Sequence, residues 1–515
     1  KYLNGFLQHY KESGWVGRWL NPGPVNCMAG TNSDVIFADA AVKGIPFDVQ
    51  AAYESAVKNA SVPSSGSSGR NSTNTSIYLG YTPDSIGWTM ENAVSDYGVA
   101  QLAKAVGEMD QYHYYLNRAK NYANVFHPDF RFFVGKKADG SYVADESNFT
   151  PIEWNFGYVE TNGWGTAFSV THDAQGMANL YGGKDALAKK LDELFLQTNQ
   201  YTASWFQHEM AEAREVRMGQ YQHNNQPAHH ILYVYNYAGQ PYKTQAKVRE
   251  VLNRLYIGSS FGQGYLGDDD NGEQSAWYVL SALGLYPMNM GSGEYAITSP
   301  LFDKATLHLP TGDLTIQALN NSKDNCYIQS LTIDGKDYDK CFITHEALLK
   351  AREIVFTLGS SPSSWATGTN AAGSSLTKEG EVPKTLEDCT SQAKVTAEGI
   401  SSAEALFDND SLTEPAFEGT AAQITFAFDQ AKAVQMLTLT AGEDPASAPK
   451  AFTLWGSETG KEGSFVKLLE RDGESFLWPR YLKPYTLPEH APMQYYRMEL
   501  AGEGALSAAE IELLQ

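Results

Sequence analysis

Between Phe47 and Leu285 apolar positions recur at three- and four-residue steps, broken by Gly-, Pro- and Asn-rich stretches, the pattern of helices of ordinary length. "FDVQAAYESAVKNA" shows it, and "SIGWTMENAVSDYGVAQLAKAVGE" places Ala93, Tyr97, Ala100 and Ala103 on one face. "MDQYHYYLNRAKNYANVF", "GKDALAKKLDELF" and "KTQAKVREVLNRLY" follow the same rule. In "AWYVLSALG", Trp277, Leu280, Ser281 and Gly284 share a face, and Gly284 is a natural stop. Serial helices with irregular loops predict a helical toroid or a solenoid, and the lack of a fixed repeat weighs against the solenoid.

At Pro287 the period changes. "EYAITS", "ATLHLP", "LTIQAL" and "CYIQSLTIDGKDY" alternate or favour β-branched residues, predicting a small β region over 287–358. Residues 359–388 are mostly Ser-, Gly- and Pro-rich and read as a linker. From Cys389 to the end, "AQITFAF", "VQMLTLTA", "AFTLWGS", "FVKLLER" and "YYRMELA" predict a second all-β unit, a sandwich or jelly roll over 389–515. That leaves 1–286 as the helical unit. It opens on the amphipathic "YLNGFLQHYKESGW" directly at Lys1, as expected if the numbering begins after a removed or separately counted segment.

Composition sets limits on what this architecture does. A chain of 515 residues, 42% of them hydrophobic, buries a large core and suits about two to three domains. No run of about 18 apolar residues is present to span a bilayer, and nothing at the start resembles a signal peptide. With 38 basic against 60 acidic residues the formal charge is -22, which repels nucleic acid and anionic lipid and favours neutral substrates or cations. Ten Trp and 30 Tyr suit sugar stacking or, equally, a large core. Cys27, Cys326, Cys341 and Cys389 show no zinc spacing, and Cys326 with Cys341 suits a local disulfide. Sequons at Asn59, Asn71, Asn74, Asn148, Asn320 and Asn409 are acceptors only in a eukaryotic secretory pathway.

Three clusters carry candidate chemistry. In "WNFGYVETNGWGTAFSVTHD", Glu160 sits among aromatics; apolar surroundings raise a carboxyl pKa as a general acid requires, although a surface Glu beside core rings reads the same. "YQHNNQPAHHILYVYNYAGQPYKTQ" packs His223, Asn224, Asn225, Gln226, His229 and His230 around Pro227, ahead of a helix expected to begin near Ala228. Amides and imidazoles at that density suit hydroxyl recognition or an oxygen-ligated cation. In "YLGDDDNGEQSAWYVLSALG", one aspartate suffices to cap the helix, leaving open whether the others do chemistry. Asp268 and Asp270 are spaced to converge on one water, and a third carboxyl across a pocket completes a glycosidase's minimal apparatus.

These clusters, in this order, resemble glycoside hydrolase family 92, the calcium-dependent exo-α-mannosidases. The matching pieces are "GWVGRWLNPGPVNCMAGTNSDVIFADA", "YVETNGWGTAFSVTHDAQGMANLYGG", "NNQPAHHILYVYNYAGQPYKTQ" and "GYLGDDDNGEQSAWYVLSALGLYP" with "ITSPLF" beyond, covering most of Gly14 to about Leu358. The resemblance implies an (α/α)6 toroid over 1–286 and an inverting mechanism. It casts Glu160 as the acid and Asp268 and Asp270 as the carboxylates that activate water, Asp270 most directly. It further implies substrate contacts at Trp154, Trp164, His208, Glu209, His223, Asn225, Gln226 and His229, and calcium held by Asn225, Gln226 and Asp270.

Two features depart from the family pattern. Gln226 stands where the family usually carries Glu. The family's N-terminal β-sandwich and first toroid helices, with a sugar-contacting Trp-Asp pair, should precede Lys1, so an upstream segment or separate chain is an expected partner.

The C-terminal unit resembles the discoidin-like, coagulation factor 5/8 type C domain in "ALFDNDSLTEPAF", "AQITFAFDQAKAVQMLTLTAG" and "YYRMELAGEGALSAAEIELL". The neighbourhood of Phe417 replaces its usual tryptophan, and Trp478, Tyr481 and Tyr485 form either a binding edge or part of the core. The expectation is an extracellular, periplasmic or cell-surface enzyme acting on mannose-containing glycans, N-glycans or mannans. A mannosyl-phosphodiester-cleaving relative and a non-catalytic carbohydrate-binding protein are the rival readings.

Overall fold

The computed structural model describes residues 1–64, 66–154, 156–205, 207–257 and 264–515. Its helical body is organised around the long helix Ile86–Val106, which packs on the helices Ser33–Val42, Val49–Ser61 and Met109–Arg118. Ser85 caps the start of the long helix by accepting from Trp88 N–H, and Gly107, at φ 88°, ends it in the left-handed conformation. Gly98 lets it touch the Ser33–Val42 helix backbone to backbone; a Cβ there would lie 2.9 Å from Val35 Cα.

Such close packing buries charge as well as alanine. The Asp96 carboxylate takes Arg70 Nη1 at 2.5 Å and Arg118 Nε at 3.0 Å, all three side chains almost fully enclosed. Asp34 completes the group, accepting from Thr31 at 2.6 Å and Asn59 at 2.9 Å.

The stretch expected to be helical from Ala228 is instead two short 3-10 turns, Gln226–Ala228 and Ile231–Tyr233, before the single-turn helix Val234–Tyr237. Side chains take over backbone bonding there. His229 Nε2 bonds His223 O at 2.9 Å, His230 Nε2 bonds Phe168 O at 2.9 Å, and Trp277 Nε1 donates to His229 O at 3.2 Å.

Beyond the helices a three-stranded sheet, Leu285–Tyr286, Glu294–Ile297 and Phe342–Thr344, adjoins a five-stranded one. The latter is ordered Lys304–Leu309, Gly312–Leu319, Glu353–Gly359, Tyr327–Ile333, Lys336–Asp337. Alternate residues Leu314, Ile316 and Ala318 point into its core, with Ile354, Phe356 and Leu358 beside them. The expected Cys326–Cys341 disulfide is absent, since all four cysteines are free. Cys341 is buried, and its Sγ donates to Ala371 O at 3.1 Å.

Residues 360–388 form no helix or strand, yet they are tied down. Asp173, which caps Ala174–Leu180, accepts from Ser375 Oγ at 2.6 Å and from Thr377 N and Oγ1 at 2.8 and 2.5 Å. Asn179 Nδ2 donates to the carbonyls of Lys378 and Glu381.

The C-terminal unit is a β-sandwich. A five-stranded sheet (Ala393–Glu398, Ala421–Lys432, Met493–Ala501, Ala451–Ser457, Val466–Asp472) faces a three-stranded one (Leu482–Thr486, Met436–Ala441, Ala508–Leu514). Every residue of Met436–Ala441 is buried, because Leu437 and Leu439 lie in the sandwich core while Thr440 meets the helical body, bonded to Tyr78 OH at 2.9 Å. Tyr481 and Tyr485 are buried in the same apolar cluster and Trp478 packs on it, so these rings belong to the interior. Gln111 of the helical body donates to Tyr481 OH at 3.2 Å. The whole is the multidomain arrangement of helical body and β-rich region that the sequence implied.

Candidate active site

The aspartate triplet divides its labour. Gly272 is the N-cap residue of the helix Glu273–Ala282 and has no side chain to offer, so Asp269 serves the first turn in its place: its Oδ1 accepts from Ser275 N–H at 3.0 Å and Ser275 Oγ at 2.8 Å, and its carbonyl from Glu273 N–H at 2.8 Å. Asp268 and Asp270 are therefore spared that task. The loop reaches its position because Gly267, at φ 87°, lies so close to Asn224 that a Cβ would stand 2.1 Å from the Asn224 carbonyl. Asp270 and Asn271 both adopt positive φ, 43° and 61°, the left-handed conformation that Asp and Asn tolerate better than other side chains and that turns the loop sharply.

Glu160 also sits at positive φ, 51°. Burial raises its carboxyl pKa, opposed by a hydrogen bond from Asn225 and reinforced by the charges of Glu209 and Asp270. That bond runs from Asn225 Nδ2 to Glu160 Oε2 at 2.9 Å. The amide's orientation is set from its other end, where Asn225 Oδ1 accepts from Gln226 N–H at 3.0 Å. Asp270, exposed at the loop edge, is raised too, by partial desolvation and then by Asp268, Glu273, Asp269 and Glu209. His208, at the start of the His208–Val216 helix, lies 3.4 Å from both Asp268 Oδ2 and Glu209 Oε1. Burial pulls its pKa down and the hydrogen bond to Asp268 with the surrounding carboxylates outweighs that, so it is raised.

Glu160, Asn225, His208, Glu209, Asp268 and Asp270 thus share one acidic site, with Gln226 half-buried beside Asn225. Two other expected contacts lie behind it. His223 is buried with both ring nitrogens engaged, by Tyr221 OH at 2.8 Å and Tyr256 OH at 2.9 Å. His229 is held at both nitrogens, Nδ1 lying 2.8 Å from Glu273 Oε1 and Nε2 2.9 Å from His223 O. The tryptophans are not brought to the site as open stacking faces. Trp154 is buried with Tyr201, Met210 and Ala213, and Trp164 lies edge-on to Phe132 with Lys190 Nζ 4.5 Å over its ring.

Sequence reasoning missed Glu212, Tyr256, Glu273 and Gln274. Glu212 is raised by burial and stands near His208 and Asn224. Glu273 looks like an ordinary first-turn acid, and only the fold brings it to a histidine 44 positions away.

Asn225, Gln226 and Asp270 offer oxygen donors, the chemistry a hard cation selects, but supply fewer than the about six to eight it takes. Among the described residues no group of three His, Cys, Asp or Glu side chains is placed to hold a metal.

Residues 1–360 match the profile of the glycosyl hydrolase family 92 catalytic domain. A solved family GH92 inverting mannosidase of Bacteroides thetaiotaomicron is 35% identical, with a TM-score of 0.66 over 73% of this chain and 52% of that one. A second GH92 structure from that organism, an α-mannosidase, is 30% identical with a TM-score of 0.64, over 75% of this chain and 49% of that one. An uncharacterized secreted glycosidase of Arthroderma benhamiae is 29% identical over 427 residues, 73% of this chain and 51% of its own. The chain spans about half the length of the relatives it matches.

Proposed function

Because the chain belongs to glycosyl hydrolase family 92, we propose that its acidic site hydrolyses terminal α-mannosidic bonds with inversion, on N-glycans or mannans. The observation that carries this reading is the pairing of Glu160, desolvated and fixed by Asn225, with the exposed Asp268–Asp270 loop whose cap is supplied separately by Asp269. Asn225 Nδ2 occupies Glu160 Oε2, which leaves Oε1 to carry the acid proton. In the reaction Glu160 donates that proton to the glycosidic oxygen as the C1–O bond breaks. Asp270 takes a proton from the water whose oxygen bonds to C1 from the opposite face, and Asp268 helps orient that water. Glu160 ends ionised and Asp270 protonated, and exchange with solvent resets both.

Calcium, expected from the family resemblance, would add charge beside the sugar hydroxyls; Asn225, Gln226 and Asp270 are the side chains that would hold it. No helix among the described residues is long and apolar enough to cross a membrane. With a relative named a secreted glycosidase, action outside the cytoplasm is the proposed setting.

The test is mannose release from α-1,2-, α-1,3- and α-1,6-mannobiose and a mannosyl phosphodiester, with calcium and then with a chelator. Release from a mannobiose, lost on chelation and restored by calcium, is the expected result. Binding of mannosides without turnover would overturn it in favour of a carbohydrate-binding protein.

A further inference from the structure

Behind the Asp268–Asp270 loop runs a buried chain of side-chain hydrogen bonds whose proton directions have one solution. Gln274 Nε2 donates to two carbonyls, His223 O at 3.0 Å and Leu266 O at 3.3 Å, so Gln274 Oε1 only accepts. Tyr256 OH lies 2.9 Å from that Oε1 and 3.3 Å from the Gln274 carbonyl, and gives its single proton there. The Tyr256 oxygen is left to accept from His223 Nε2–H at 2.9 Å. His223 Nδ1 then carries a lone pair and takes the Tyr221 hydroxyl proton at 2.8 Å. Tyr221, His223 and Gln274 are almost wholly enclosed, so each bond stands in a medium where leaving a partner unpaired costs about 1–3 kcal/mol.

The position of this chain gives it a task. Leu266 precedes the aspartate loop and Gln274 follows it, so one carboxamide binds the chain on both sides of Asp268–Asp270. The same amide reaches His223 O, which also accepts from His229, the partner of Glu273. Asp270 and Asn271 turn the loop through left-handed angles that Asp and Asn tolerate, so the turn is locally allowed and the Gln274 amide ties it to the rest of the fold.

We propose that Tyr256, His223 and Gln274 are positioning residues that clamp the aspartate loop, placing Asp270 to take a proton from the attacking water. This rests on the hydrolase reading above. It makes His223 a support for the loop instead of a sugar contact.

Tyr256→Phe is the clean perturbation, because the ring is held separately, stacked 5.9 Å from Trp277 at 8°. A misplaced reacting group costs on the order of 100-fold in rate. We therefore expect a kcat about 10- to 100-fold lower with KM nearly unchanged, and a lowered melting temperature, because buried Gln274 Oε1 and His223 Nε2 lose their partner. The loss should be equal on aryl and alkyl mannosides, because both need the water. Gln274→Glu, which keeps the acceptor and removes the donors, should act alike and serves if Tyr256→Phe folds poorly. Hydrogen exchange of the amides from Leu266 to Ser275 should quicken at least tenfold in either variant, a readout that requires no turnover. Unchanged kcat with unchanged exchange overturns the clamp, as does a loss confined to KM or to substrates with poor leaving groups. If the wild type releases no mannose, the hydrolase reading falls, and the exchange experiment still decides whether the clamp exists.

Discussion

Replacing Glu160 by Gln separates the acid role from every other role of that residue. The side chain keeps its length and one carbonyl oxygen, so Asn225 Nδ2, oriented by Gln226 N–H, still finds an acceptor at the Oε2 position. What disappears is the transferable proton. General acid catalysis contributes about 10²- to 10⁴-fold, or about 2.7–5.4 kcal/mol at about 1.36 kcal/mol per decade. The full loss is expected on alkyl-linked mannosides such as a mannobiose, whose leaving oxygen must be protonated. Aryl mannosides with acidic phenols leave without help and should lose less than about tenfold.

The pH profile supplies a second readout from the same variant. Burial raises the Glu160 pKa, so the protonated form required for activity persists above the ordinary carboxylate range and is lost as pH rises through the raised value. The wild type should show that descending limb, and Glu160→Gln should lack it on aryl substrates. Steady-state assays on both substrates across pH 4–9 suffice. Equal losses on the two substrates, or a descending limb that survives in the variant, would refute the acid assignment.

Other perturbations follow from the same geometry. Asp270→Asn should abolish turnover of aryl and alkyl mannosides alike while mannose binding, followed by calorimetry, persists; residual turnover on aryl substrates contradicts its role as base. Asp96→Ala leaves the Arg70 and Arg118 guanidiniums buried without their shared carboxylate, so urea denaturation should show a loss of about 3–5 kcal/mol. Lys190, packed 3.4 Å over Phe132, is pulled down to about 8 by burial, with Glu193 opposing. Its folded form loses a proton before its unfolded form does, so stability rises with pH between about 8 and 10.5, by up to about 3 kcal/mol before cation–π attraction of about 2 kcal/mol is counted. Lys190→Met should remove that rise at little cost at neutral pH; a variant destabilised by more than about 2 kcal/mol would mean the buried ammonium is a net stabiliser.

The sequence by itself determined helices such as Val49–Ser61, Ile86–Val106 and Pro241–Arg254, since three- and four-residue apolar periodicity is a local signal that local physics obeys. It also made the acidic loop and Glu160 visible, because three adjacent aspartates exceed what one cap needs. It did not reveal which aspartate caps, as that turns on where the loop carbonyls and Ser275 end up in space. The run after Ala228 read as helix because its apolar spacing is right, but long-range bonds from His229, His230 and Trp277 hold it in 3-10 turns. Tertiary structure alone turned Trp164 inward, enclosed Tyr481 against the helical body and joined Gln274 to Tyr256 and His223. A short-range pattern states which residues prefer the interior; which interior they enter, and which donor meets which acceptor, is fixed only when distant segments close on one another.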